Sequence, residues 1–271
     1  MTEATGRSHI ATAFQQAKAA QRAALMPYYT LGYPDRATSL DVVAAIAPYA
    51  DLFELGVPFS DPLADGPTIQ HSTQKALENG TTSRDCLAMV RELRGRGVTA
   101  PFLLMGYYNP IMAYGLDAYV KDVAAAGADG LLVPDLPPEE ADELEAAAAA
   151  AGLALIHFLA PTSHPARISK VVARAQGFIY AVSVTGITGA RQAVSTRLPE
   201  FVGSIKAQTN VPVAVGFGIS TPAQAADVGT FADGVIVGSA LINAVDAAED
   251  KPAAAAQFMG ALKAGMEKAT D

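Results

Sequence analysis

Short apolar, β-leaning runs recur eight times along the chain, and Ala-rich amphipathic segments stand between them. Parallel strands joined by crossover helices produce that alternation. The runs occupy 25–30, 52–56, 102–105, 130–133, 154–159, 178–182, 211–216 and 234–237. Their apolar character is nearly unbroken, as expected of strands covered on both faces. Helices are expected at 39–49, 82–95, 116–126, 138–151, 165–175, 198–208 and 221–227, with a leading helix at 10–22 and a tail helix at 253–269. Pro138 with Glu139 and Glu140 suits a first helical turn, and Thr221 before Pro222 reads as a cap followed by proline at the first helical position.

No Ser/Pro-rich break divides the eight units. The expected fold class is therefore α/β, a single (β/α)8 TIM barrel with an extra N-terminal helix, spanning 1–271 as one domain. The structural competitor is an open doubly wound sheet. It lacks its glycine fingerprint here, because Thr30-Leu31-Gly32-Tyr33-Pro34 after the first run is not G-x-G-x-x-G, and that speaks against a dinucleotide cofactor.

Composition narrows the function classes. A net charge of −8 disfavours nucleic acid and anionic lipid as partners, so any phosphate must be held by local backbone donors. Mean hydropathy of +0.23 comes from Ala-rich helices, and no run approaches the length of a membrane span. The polar start, 1–10, has no secretory pattern and predicts a cytoplasmic protein. The single cysteine, Cys86, excludes an internal disulfide, and His9, His71, His157 and His164 are too scattered to predict a metal site.

Functional groups of such a barrel lie at the C-terminal strand ends. Glu54 interrupts the apolar run Leu52-Phe53-Glu54-Leu55-Gly56, where a carboxylate is costly unless paired, solvated or protonated. The loop after it adds Asp61 and Asp65, giving a candidate acid–base pair. Tyr180 and the segment 183–191, with its glycines, hydroxyls and Arg191, could form a lid over an anion. Gly216 and Gly218 after the seventh run, and Gly238-Ser239 after the eighth, fit the phosphate site that barrels build from the last two loops.

The stretch Phe53-Glu54-Leu55-Gly56-Val57-Pro58-Phe59-Ser60-Asp61-Pro62-Leu63-Ala64-Asp65-Gly66-Pro67-Thr68-Ile69-Gln70 resembles the signature of the tryptophan synthase alpha subunit family, and the likeness extends through Pro27 to Gly32, Leu104-Met105, Tyr107 to Pro110 and Val133 to Pro137. The resemblance implies a lyase of amino-acid biosynthesis that cleaves indole-3-glycerol phosphate by retro-aldol chemistry, with no metal or organic cofactor. It implies Glu54 as acid–base group and Asp65 as acceptor of the indole N–H, the catalytic pair. Substrate binding would fall to Tyr180, to Thr188 and Gly189 of a mobile loop, to Gly218, Gly238 and Ser239 for phosphate, and to Leu104 and Leu132 flanking the indole. The implied partner is a pyridoxal-phosphate-dependent beta subunit in an alpha2beta2 heterotetramer. Rival readings are a sugar-phosphate isomerase or epimerase, a stand-alone indole-3-glycerol-phosphate lyase and a non-catalytic activating subunit.

Overall fold

The computed structural model describes residues 5–182, 197–216 and 218–268. Eight parallel strands close into a barrel in chain order: β1 (Ala24–Thr30), β2 (Phe53–Gly56), β3 (Phe102–Met105), β4 (Gly130–Leu132), β5 (Ala154–Leu159), β6 (Ile179–Val182), β7 (Val213–Gly216) and β8 (Gly234–Val237). The helices are α1 (Gly6–Ala19), α2 (Arg36–Ile46), α3 (Pro67–Glu78), α4 (Ser83–Gly95), α5 (Tyr108–Tyr114), α6 (Leu116–Ala126), α7 (Asp142–Ala150), α8 (Pro165–Arg174), α9 (Leu198–Lys206), α10 (Pro222–Gly229), α11 (Ser239–Asp246) and α12 (Lys251–Lys268). The barrel expected from the eight-fold alternation is the one observed, and each expected run overlaps a strand. No helix among the described residues is long and apolar enough to cross a membrane.

Register decides which side chains share the interior. In parallel strands, residues paired across the ladder point to the same side. Tyr28 pairs with Glu54, Glu54 with Leu103, Leu103 with Gly130, and Gly130 with Ala154. That set lines the barrel axis. The alternate set faces the helices: Phe53 and Phe102 meet edge to face at 5.6 Å, and the Arg94 guanidinium of α4 lies 3.9 Å over the Phe102 ring. Helix α1 seals the N-terminal end, since a Cβ on Gly234 would meet Phe14 Cε1 at 3.1 Å, Met26 Sδ at 3.1 Å and Ala214 Cβ at 2.9 Å.

Three carboxylates tie that floor together. Asp51 accepts from the backbone N–H of Leu25, Asp129 from Phe102 and Asp233 from Val213, so each fixes the first N–H groups of the strand before its own. Each also holds a cation: Arg22 at 2.6 Å, Arg94 at 2.8 Å and Lys206 at 2.8 Å. The sequence marks them as Ala50-Asp51, Ala128-Asp129 and Ala232-Asp233. At the matching place before β6 stands Ala175-Gln176, and the buried Gln176 Oε1 has no partner among the described residues.

Some helix boundaries differ from expectation. Helix α7 starts at Asp142 rather than at Pro138, because 137–140 closes a turn through Glu140 N–H to Pro137 O, and Pro138 O is taken by Arg174. Thr221 does cap α10 ahead of Pro222. Helices α3, α5 and α11 were not expected; α3 begins on Pro67 within the proline-rich loop, and α5 carries Pro110 in its first turn, where proline is tolerated.

Candidate active site

Alternation along β2 sends Phe53 and Leu55 to the helix layer and leaves Glu54 and Gly56 on the interior face. Glu54 is 1% exposed, and its Oε1 has no hydrogen-bond partner among the described residues. Burial penalises the charged form and lifts its pKa from 4.5 to about 8. Glu54 is thus a neutral acid at pH 7, ready to give a proton.

Asp65 reaches the same mouth from the loop between β2 and α3. Its Oδ2 accepts from Tyr107 Oη at 2.9 Å, and Gln70 Nε2 donates to its backbone carbonyl at 2.8 Å. Tyr107 Oη in turn accepts from Ala64 N–H at 3.0 Å, which clamps the loop to the end of β3. Burial raises the Asp65 pKa to about 6, with the Tyr107 hydrogen bond pulling the other way. At neutral pH the two carboxyls therefore differ in state, Asp65 charged and Glu54 protonated, the separation that acid–base chemistry with a fixed anion requires.

Two tyrosines close the space around them. Tyr28 on β1 lays its hydroxyl over Gly56, where an added Cβ would meet the oxygen at 2.1 Å. Tyr180 on β6 does the same over Gly216, at 2.2 Å, and stacks on Phe158 with 4.7 Å between ring centroids. Both glycines are required for this close approach. Burial, aided by the field of Glu54 and Asp65, pushes the Tyr180 phenol up.

On the other side of β1 from Glu54 lie the ends of β8 and β7 and the loops that follow them. Gly218 adopts φ +82° with nothing within 4 Å of an added Cβ, so it is backbone conformation rather than space that calls for glycine. A Cβ added at Gly238 would meet Tyr28 Cβ and Cδ1 at 3.3 Å, and Gly238 is the N-cap of α11 without a side-chain cap. Ser239 opens that helix, whose first N–H groups can serve an anion.

Glu54, Asp65 and Tyr180 thus come together in one mouth, with Gly218, Gly238 and Ser239 in the two loops that end β7 and β8. Leu132 sits on the interior face through its pairing with Met105. Leu104 does not. It pairs with Leu55 and Leu131 and is buried in the layer between barrel and helices, while Met105 takes the interior position beside Gly56. Thr188 and Gly189, with the segment 183–191, lie outside the described residues. Tyr28, Met105 and Tyr107 were missed: Tyr28 and Met105 sit in runs that read as ordinary core, where only register separates the faces, and Tyr107 stands in the short connection between β3 and α5, where only the folded structure brings it to Asp65. No group of three or more His, Cys, Asp or Glu is placed to hold a metal among the described residues.

The family profile of the tryptophan synthase alpha chain matches residues 14–271. A tryptophan synthase alpha chain from Chloroflexus aurantiacus is 55% identical over 258 residues, covering 94% of this chain and 97% of that one. One from Roseiflexus is 52% identical over 242 residues, 89% and 93% of the two chains. Among solved structures, Mycobacterium tuberculosis tryptophan synthase superposes with a TM-score of 0.88 at 41% identity, covering 95% of this chain and 98% of that one. The alpha subunit from Legionella pneumophila gives 0.88 at 36%, over 96% and 98%. With a closed eight-stranded barrel, a buried glutamic acid and a buried aspartate at its mouth and likeness along nearly all its length, this chain belongs to the tryptophan synthase alpha chain family, lyases that cleave indole-3-glycerol phosphate.

Proposed function

We propose that Glu54 and Asp65 divide the retro-aldol cleavage of this family between them, with the phosphate of indole-3-glycerol phosphate held by Gly218, Gly238 and Ser239. The observation that carries this reading is the pair of buried carboxyls poised on either side of neutrality, at about 8 and about 6. Glu54 gives its proton to the ring carbon that bears the glycerol chain. Asp65 accepts the indole N–H and stabilises the positive charge that develops on the ring. Glu54, now a carboxylate, takes the proton of the neighbouring glycerol hydroxyl. The carbon–carbon bond breaks, its electron pair restores the aromatic ring, and glyceraldehyde 3-phosphate and indole leave with Glu54 protonated again. No cofactor enters this cycle. Tyr180 and Leu132 bound the indole, joined by Met105 in the place expected of Leu104. Thr188 and Gly189 remain assigned to the loop that shuts the site.

The family works with a beta subunit, and we place that partner at the barrel mouth, in an alpha2beta2 assembly. Support comes from the large apolar side chains most exposed among the described residues, Leu63 at 72% and Met112 at 49%, both on segments following strands at that end. Indole release from indole-3-glycerol phosphate, measured with and without beta subunit, tests the whole reading. Turnover stimulated by the partner supports it; turnover that the partner neither binds nor changes favours a stand-alone lyase, and binding without turnover favours a non-catalytic activator. Ser239→Asp should weaken substrate binding by like-charge repulsion, and unchanged affinity at low salt would move the phosphate elsewhere.

A further inference from the structure

Behind the mouth, β1 and α3 share a buried row of hydroxyls that the chemistry above does not use. Tyr28 Oη lies 3.3 Å from Thr30 Oγ1, and Thr30 Oγ1 lies 2.7 Å from Ser72 Oγ. Ser72 Oγ donates to the Ile69 carbonyl at 2.9 Å, which uses its single hydrogen. Thr30 must then be the donor to Ser72, and Tyr28 the donor to Thr30. The row runs one way, its hydrogens directed towards α3. Tyr28 is left with lone pairs alone to offer the interior face, where its oxygen stands over Gly56, two residues along β2 from Glu54.

We propose that Tyr28 is a positioning residue for the acid: the one-way hydroxyl row turns its phenol into an acceptor at the mouth and so holds the Glu54 carboxyl in its protonated form. No hydrogen bond joins Tyr28 Oη to the Glu54 carboxyl among the described residues, so the effect is one of field: an oxygen that turns only lone pairs to a nearby carboxyl disfavours the carboxylate, and the low dielectric of a buried site strengthens the preference. The titratable groups sharing this field are Asp65 and Tyr107 at the β2–α3 and β3–α5 connections, Tyr180 from β6, and Tyr28 itself, whose own phenol is held neutral mainly by burial. The proposal rests on Glu54 as the acid–base group, but its test does not need turnover.

The test is a titration of the full-length chain carrying glutamate labelled with ¹³C at the side-chain carboxyl, the Glu54 signal being identified by its loss in Glu54→Gln. Tyr28→Phe should lower the Glu54 midpoint by about half to one unit. Thr30→Val should lower it as well, because a Tyr28 hydroxyl freed from Thr30 can turn its hydrogen towards the interior face, and Ser72→Ala should give a smaller shift in the same direction. A midpoint that stays put in all three variants, or that rises in Tyr28→Phe, overturns the proposal. If Glu54→Gln is inactive while these midpoints do not move, the catalytic reading stands and the tuning fails. If the midpoints fall while Glu54→Gln still turns over, the tuning stands and the catalytic reading fails.

Discussion

At the floor of the barrel Asp51, Asp129 and Asp233 each meet a cation and a strand N–H, whereas at the mouth Glu54 is buried with an oxygen that has no partner among the described residues and Asp65 accepts from a tyrosine. The same functional group is thus used in two ways. A carboxylate with its charge matched and its lone pairs filled welds strands into register; removing its partner leaves a buried charge exposed to low dielectric. A carboxyl deprived of such partners costs stability but gains a pKa useful near neutrality. Burial without pairing is the price of chemistry at the mouth, and the floor supplies the rigidity that keeps it in place.

The sharpest way to break this contrast is Glu54→Gln. Cleavage should fall by about 10²- to 10⁴-fold while the fold survives, as read by indole release beside a thermal melt. The same variant carries a stability signature. Because the native state holds Glu54's proton up to about 8 and the unfolded chain releases it near 4.5, the wild type loses stability as pH rises through that window. Glu54→Gln should flatten that slope; an unchanged slope would mean that Glu54 is not the strained group.

At the floor, Asp129→Ala strips Arg94, His9 and the Phe102 N–H of their shared acceptor. A loss of about 3–5 kcal/mol in denaturant unfolding is expected, with the turnover of the folded fraction little altered. Equal damage to turnover and stability would erase the division between the two ends.

Asp65→Asn should cost less than Glu54→Gln, about 10²-fold in kcat, since it removes charge stabilisation while leaving the proton donor. The wild-type kcat/KM should rise with pH through about 6, as Asp65 ionises, and fall through about 8, as Glu54 loses its proton. Asp65→Asn should abolish the acid limb alone, and a profile that keeps both limbs would detach Asp65 from it. The smallest effect belongs to Gly218→Ala, which forces a Cβ into φ +82°. About 1–2 kcal/mol of strain is expected, visible as a raised KM for the phosphorylated substrate with kcat nearly kept. An unchanged KM would show that this loop does not hold phosphate.

Much of the mouth was legible in the chain because a polar residue in an apolar run is rare and expensive. Glu54 stands out for that reason, Asp65 follows in the loop after it, and Tyr180 and the later glycines stand at the ends of the sixth, seventh and eighth runs. The floor was not, although Ala50-Asp51, Ala128-Asp129 and Ala232-Asp233 repeat in plain sight. An aspartate between a helix end and a strand reads as ordinary turn chemistry until the neighbouring strand's N–H is seen beneath it. Leu104 and Met105 failed differently: in an unbroken apolar run, period-two alternation carries no phase, so the interior member cannot be told from its neighbour.

By itself the sequence determined the eight-fold order of strand and helix, because short apolar runs and Ala-rich amphipathic segments each bury their apolar surface in only one kind of layer. It also set the residue types available for chemistry. What the tertiary structure alone decided was which of those side chains face one another. Ladder register, a property of pairs of strands far apart in the chain, put Tyr28 beside Glu54, turned Leu104 outward and Met105 inward. Closure of the barrel then excluded water from Glu54 and Asp65 to different degrees, and it is that unequal desolvation, absent from any single stretch of chain, that separates an acid from an anion.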